Sequence, residues 1–136
     1  MRFQDAARDG RAVVYAGIQA DPRAELVAIC DADPELLELR RRTWGVHDSY
    51  LDYRELLSRQ DIEAVIVATP NFLHLPIVLA AVDAGKHVMC EKPMTLEADQ
   101  AWDLVRLAKE RNLQLVVPYG WHYKPFVHQA KQMMDE

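Results

Sequence analysis

No apolar run in this 136-residue chain approaches the roughly 20 residues that a bilayer-spanning helix needs. The polar start Met1-Arg2-Phe3-Gln4-Asp5 carries no secretory signal. An excess of basic residues is also lacking. Sixteen Lys and Arg against 21 Asp and Glu leave a net charge of −5, which argues against nucleic acid, whose binding depends on neutralising phosphates. Cysteine is scarce: Cys30 and Cys90 each sit in an apolar run, which predicts reduced thiols in a cytoplasmic protein rather than a disulfide framework. No His or Cys spacing suggests a metal site, and no Gly-x-Ser-x-Gly segment suggests a hydrolase nucleophile. Membrane protein, disulfide scaffold and disordered tail are excluded as leading readings.

What is present is a soluble balance, 50% hydrophobic and 27% charged, enough apolar material for one core at about 150 residues per domain. From Glu25 onward, short apolar runs alternate with amphipathic stretches. Leu26-Val27-Ala28-Ile29-Cys30 reads as a strand. Asp33 then reads as a helix cap, Pro34 as the first helical residue and Gly45 as the stop. Residues 50–58 read as a turn and short helix. Ala64-Val65-Ile66-Val67-Ala68 has no polar alternation, which predicts a strand buried on both faces. A helix over residues 73–84, with Pro76 in its first turn, is closed by Gly85. His87 to Cys90 forms the next strand. Thr95 is expected to cap a helix with Ala98, Ala101, Trp102, Val105 and Ala108 on its apolar face. Residues 113–117 and 126–134 supply a last strand and a last helix. The repeating order predicts a doubly wound α/β fold with a parallel sheet.

In such sheets ligands bind beyond the carboxyl ends of the strands, which singles out four loops. Asp31 is placed to accept the ribose hydroxyls of an adenosine and to repel a 2′-phosphate, or simply opens a turn. Thr69, Pro70, Asn71 and His74 offer short polar groups for a pyrophosphate or nicotinamide ribose; composition alone favours Asn71 as a cap of the next helix and His74 as a partly exposed helix residue. Lys92 would present a cation to a substrate oxygen, with Glu91 pairing to it and Pro93 following. The bland alternative is a surface ion pair. His122 and Tyr123 lie in an aromatic loop that reads more readily as docking surface than as acid–base machinery.

Taken together, LVAICD (residues 26–31), AVIVATPNFLH (64–74), AGKHVMCEKP (84–93) and residues 119–125 occur in an order and spacing that resembles the N-terminal domain of the Gfo/Idh/MocA family, the glucose–fructose oxidoreductase and inositol dehydrogenase group. The resemblance covers residues 10–136. It implies a Rossmann dinucleotide-binding domain over residues 1–120, followed at 121–136 by the start of a linker and helix. It implies an NAD(P)-dependent oxidoreductase that moves hydride to or from a sugar or cyclitol hydroxyl, with NAD favoured over NADP. It places the ribose-binding acid on Asp31, the dinucleotide loop on Thr69, Pro70, Asn71 and His74, and the active-site lysine on Lys92 within Glu91-Lys92-Pro93.

Two departures accompany the resemblance. The family's Gly-x-Gly-x-x-Gly register falls on Asp5-Ala6-Ala7-Arg8-Asp9-Gly10, so that Gly10 alone remains. The Ala7 methyl would crowd a pyrophosphate, and Asp5 and Asp9 would repel it by ~1 kcal/mol in water to ~4 at intermediate dielectric for a unit pair at 4 Å. Arg8 and Arg11 offset part of this repulsion. Met1-Arg2-Phe3-Gln4 also offers little to a central strand, whose loss would leave unpaired edges. The family's substrate domain, with its catalytic histidine, is missing, which predicts no turnover by the chain alone. The alternative is a non-enzymatic, oligomerising interaction module that has lost cofactor binding.

Overall fold

The computed structural model describes residues 10–120 and 124–135, with side-chain surroundings described from Tyr15 onward. Asp5, Ala7, Arg8, Asp9, the segment Met1–Gln4, His122 and Tyr123 lie outside the described residues, as does the Arg11 side chain. Gly10 opens α1 (Gly10–Ala20), a helix that the sequence pattern left unread. Tyr15 ties this helix to Trp44. The two rings stack with centroids 4.8 Å apart, and the Tyr15 hydroxyl donates to the Trp44 carbonyl at 3.1 Å.

Strand β1 (Ala28–Cys30) pairs in parallel with β2 (Asp48–Tyr50), Ala28 beside Asp48 and Cys30 beside Tyr50. Between them runs α2 (Pro34–Trp44), whose ends are written into the sequence. Asp33 accepts from the Glu35 and Leu36 amides, and Gly45 takes the left-handed conformation (φ 66°) that a side chain would strain. Ile29, Leu37 and Val46 form a small core there, with Leu26 and Trp44 packed against it.

The larger unit follows α3 (Tyr53–Leu57). Strands β3 (Ala64–Val67), β4 (His87–Cys90) and β5 (Leu115–Val116) form a parallel sheet in that order. The connecting helices are α4 (His74–Asp83), entered through a single 3-10 turn at Asn71–Leu73, and α5 (Ala98–Glu110). Val67, Ile77, Val78, Ala81, Val82, Val88, Cys90 and Leu104 make the main core, which Leu57 of α3 also enters. Helix α6 (Pro125–Asp135) closes the chain with no buried residue.

The parallel α/β architecture is therefore as expected, but its sheet is in two pieces. Among the described residues no strand lies between β1 and β3, and each is paired on one side only. The expectation that β3 is buried on both faces is corrected accordingly. Val67 is buried, whereas Ile66 is 39% exposed, because its face carries no cover among the described residues. Ile66 stands in register with Met89 and Val116, so an apolar row crosses the sheet on that side.

Among the described residues, two links join the halves. Helix α3 packs against β1 and β2 as well as α4. Arg59, just beyond α3, bonds Asp48 and the Tyr50 hydroxyl of β2 and Asp61 ahead of β3, while its carbonyl accepts from the buried Lys86 ammonium at 2.6 Å. Asp61 is held below the usual carboxylate range by Arg59, and Asp48 by His47 and then Arg59. Because these values fall on folding, the stabilisation is present above the ordinary Asp value of about 4 and is lost as pH drops below it. Arg59→Met should lower the urea midpoint at pH 7 and flatten that acid limb. It should also speed amide exchange in β1 and β2 several-fold more than in β4; uniform exchange would show that Arg59 does not hold the halves together.

Candidate functional site

The loops marked in the sequence follow the carboxyl ends of β1, β3 and β4. After β1, the Asp31 amide donates to the Tyr50 carbonyl at 3.2 Å, so the strand pairing continues to this residue. One Asp31 carboxylate oxygen accepts the Asp33 amide at 3.0 Å and shapes the turn into α2. The side chain is half-buried.

Beside Asp31, the Cys30 thiol is pushed up to about 11, first by burial and then by the negative charges of Asp31, Asp52 and Glu55. Three carboxylates therefore bear on the end of β1. The Cys90 thiol, fully buried at the end of β4, is raised to about 11 by burial and by Glu91. At pH 8 about one thiol in a thousand is ionised at such a value. Iodoacetamide should therefore label both cysteines roughly a hundredfold more slowly in the native chain than in the urea-unfolded one. A thiol labelled at the unfolded rate would contradict the burial.

After β3, Thr69, Pro70 and Asn71 are exposed, and the Pro70 carbonyl accepts the Leu73 amide at 2.9 Å. His74 differs from these three. It is 1% exposed, with Nδ1 2.7 Å from the Pro93 carbonyl oxygen and Nε2 2.9 Å from the Thr69 carbonyl oxygen. A ring nitrogen that carries a proton donates to the oxygen it faces. Both edges of the imidazole are thus occupied by backbone, which corrects the expectation of a partly exposed helix residue.

After β4, the Glu91 amide donates to the Val67 carbonyl at 2.9 Å, and Lys92 is exposed. The Lys92–Pro93 peptide bond is cis. The expected pairing of Glu91 with the Lys92 ammonium is replaced by a local bond, in which a Glu91 carboxylate oxygen accepts the Lys92 backbone amide at 3.2 Å. Glu91 fixes the loop backbone, and the ammonium remains in solvent at the strand ends.

Asp31 follows β1 of the two-stranded sheet, while the Thr69–Asn71 loop and Lys92 follow the neighbouring parallel strands β3 and β4 of the three-stranded one; they offer an acceptor, short polar groups and a cation. This donor set suits a dinucleotide, whose ribose hydroxyls donate and whose phosphates and carboxamide accept. A groove of about 530 Å3 lined by Tyr15, Ile18, Glu25, Trp44 and Val46 lies elsewhere, between α1 and the turn leading into β2. Among the described residues no cluster of His, Cys, Asp or Glu could hold a metal, and no helix is long and apolar enough to cross a membrane.

Residues 7–119 match the family model GFO_IDH_MocA, an oxidoreductase family with an NAD-binding Rossmann fold. The chain belongs to this family. A levoglucosan dehydrogenase from Pseudarthrobacter phenanthrenivorans is 35% identical over 108 residues, 79% of this chain and 28% of the relative. A 3-ketoreductase from Actinomadura kijaniata, solved with NADP and TDP-benzene, superposes with a TM-score of 0.84 at 32% identity, over 96% of this chain and 38% of that one. A scyllo-inositol dehydrogenase from Lactobacillus casei, solved with NAD(H) and scyllo-inositol, gives 0.82 at 26%, over 93% and 38%. The chain therefore spans about a third of the length of these relatives. Within the GFO_IDH_MocA family it is an NAD(P)-binding Rossmann domain, and the fold expected from the four motifs is the one found.

Proposed function

We propose that this chain is the cofactor half of a dehydrogenase or reductase that moves hydride between NAD(H) and a hydroxyl or carbonyl carbon of a sugar or cyclitol. The observation that supports the reading is that Asp31 follows the carboxyl end of β1, and that Thr69-Pro70-Asn71 and Lys92 follow those of the adjacent parallel strands β3 and β4. Asp31 accepts the adenosine ribose hydroxyls. The polar groups of Thr69 and Asn71 bond the pyrophosphate and nicotinamide ribose, with Pro70 holding the loop backbone. Gly10 and Arg11, at the start of α1, serve the phosphates, where helix dipole and guanidinium both favour an anion. The bound dinucleotide supplies the hydride acceptor or donor. Lys92 directs its ammonium at the substrate oxygen and stabilises negative charge there, and Glu91 and Pro93 set the backbone from which it projects.

NAD rather than NADP is favoured by the three carboxylates bearing on Cys30, since a 2′-phosphate would enter their field. A substrate domain continuing from α6 would complete the site, and residues 121–136 are the start of that connection. Without it the chain binds cofactor but does not turn over.

Addition of NAD to the isotopically labelled chain should shift the amide signals of Asp31, Asn71 and Lys92 together while those of Lys86 and Leu104 stay still. Shifts scattered away from the strand ends would sink the assignment. A second reading, an oligomerising module without cofactor, draws on the one-sided pairing of β1 and β3 and on the exposed Ile66 and Val116. It requires self-association in light scattering together with no amide shifts.

A further inference from the structure

Beyond their last shared ladder bond, Glu91 amide to Val67 carbonyl, strands β3 and β4 give way to loops that carry the proposed site. Two residues further along each strand stand Thr69 and Pro93, and their carbonyl oxygens are the two that His74 touches, at 2.9 and 2.7 Å. The imidazole occupies the position of the next rung, and proline, which has no N–H, could not have donated a backbone one. His74 opens α4, sits 1% exposed and packs in the helix that also carries Ile77 and Val78 into the core. The link is therefore anchored to the most buried helix of the domain.

We propose that His74 is a positioning residue that couples the Thr69-Pro70-Asn71 loop to the Glu91-Lys92-Pro93 loop, so that the nicotinamide end of the site forms as one unit. It does so without touching the cofactor. This rests on the dinucleotide reading above, and it divides that site in two. The adenosine end depends on Asp31 and β1, while the nicotinamide end depends on the two loops that His74 joins.

The test compares NADH with AMP, which lacks the second phosphate, the nicotinamide ribose and the nicotinamide, in calorimetric titrations of the 136-residue chain. Wild type should bind NADH more tightly than AMP by a hundredfold or more. His74→Phe, which fills the space but donates nothing, should reduce that difference at least tenfold and leave AMP affinity unchanged. His74→Gln, with one amide group to donate, should restore part of the difference. Equal loss of both ligands would reveal a merely structural residue and overturn the proposal, as would an unchanged NADH preference in His74→Phe.

Failure of wild type to bind either ligand would instead defeat the dinucleotide reading, and a second measurement then judges the coupling itself. In amide exchange of wild type under rising urea, the Leu73 amide, bonded to Pro70, and the Lys92 amide, bonded to Glu91, should open in one step with a common urea dependence. Separate openings would show that His74 does not couple the loops, and this arm needs neither ligand nor variant.

Discussion

Leu104→Ala should remove about 2–5 kcal/mol of folding stability, read as a fall in the urea midpoint at unchanged slope. Leu104 has no exposed surface and is one of only two buried residues of α5, the other being Ala108. It projects into the cluster of Val78, Ala81, Val82, Val88 and Cys90, where helices α4 and α5 meet the sheet. Truncation deletes its buried methyl groups and leaves a cavity that the helical backbone cannot collapse to fill. Against a total of about 5–15 kcal/mol for a domain, this is a large fraction. The loss falls on a core that already serves only three strands. Trp102→Ala, on the same helix but 70% exposed, should change stability by no more than about 0.5 kcal/mol. Similar losses in the two variants would mean that α5 packs by another face.

Asp31→Ala should weaken NADH binding by about ten- to a hundredfold, or roughly 1.4–2.8 kcal/mol, while narrowing the gap between NADH and NADPH. The carboxylate is asked to accept two ribose hydroxyls, and bonds to a charged group are the stronger kind. On the proposed reading it would also repel a 2′-phosphate, together with Asp52 and Glu55, whose charges reach the neighbouring Cys30. Because Asp31 also accepts the Asp33 amide, Asp31→Asn is the informative partner. Asparagine retains the turn and an acceptor oxygen but not the charge. It should therefore keep more of the NADH affinity than alanine and lose the discrimination against NADPH. An unchanged NADH-to-NADPH ratio in both variants would remove Asp31 from the ribose pocket.

Helix α2 was legible residue by residue, because its determinants are local: Asp33 caps it, Pro34 starts it and Gly45 ends it with positive φ. Strand β4 was likewise found with its observed limits, His87 to Cys90. Strand β2 was not, since Asp48-Ser49-Tyr50 has neither apolar run nor alternation; its pairing with β1 alone makes it a strand.

The expected cap at Thr95 fails for a geometric reason. Its hydroxyl donates to the Glu97 carbonyl at 2.8 Å, and α5 starts three residues later at Ala98 without a side-chain cap. The expected apolar face of α5 was also turned. Ala101, Leu104, Leu107 and Ala108 face inward, whereas Trp102 and Val105 face out, because a large apolar residue exposed on a helix biases any count of period. In the site, the loops and their residue types were visible, and what escaped was burial. Nothing in Thr69 to His74 distinguishes the exposed threonine and asparagine from the enclosed histidine, for that depends on Pro93 arriving from another strand.

The central claim is that this chain holds a nicotinamide dinucleotide at the ends of its parallel strands. Calorimetric titration of NADH into the folded wild-type chain and into Asp31→Ala tests it most directly. Saturable one-to-one binding by wild type, weakened at least tenfold in the variant, is the result expected. No binding by a chain whose circular dichroism shows it folded, or equal affinity in the two proteins, would contradict it.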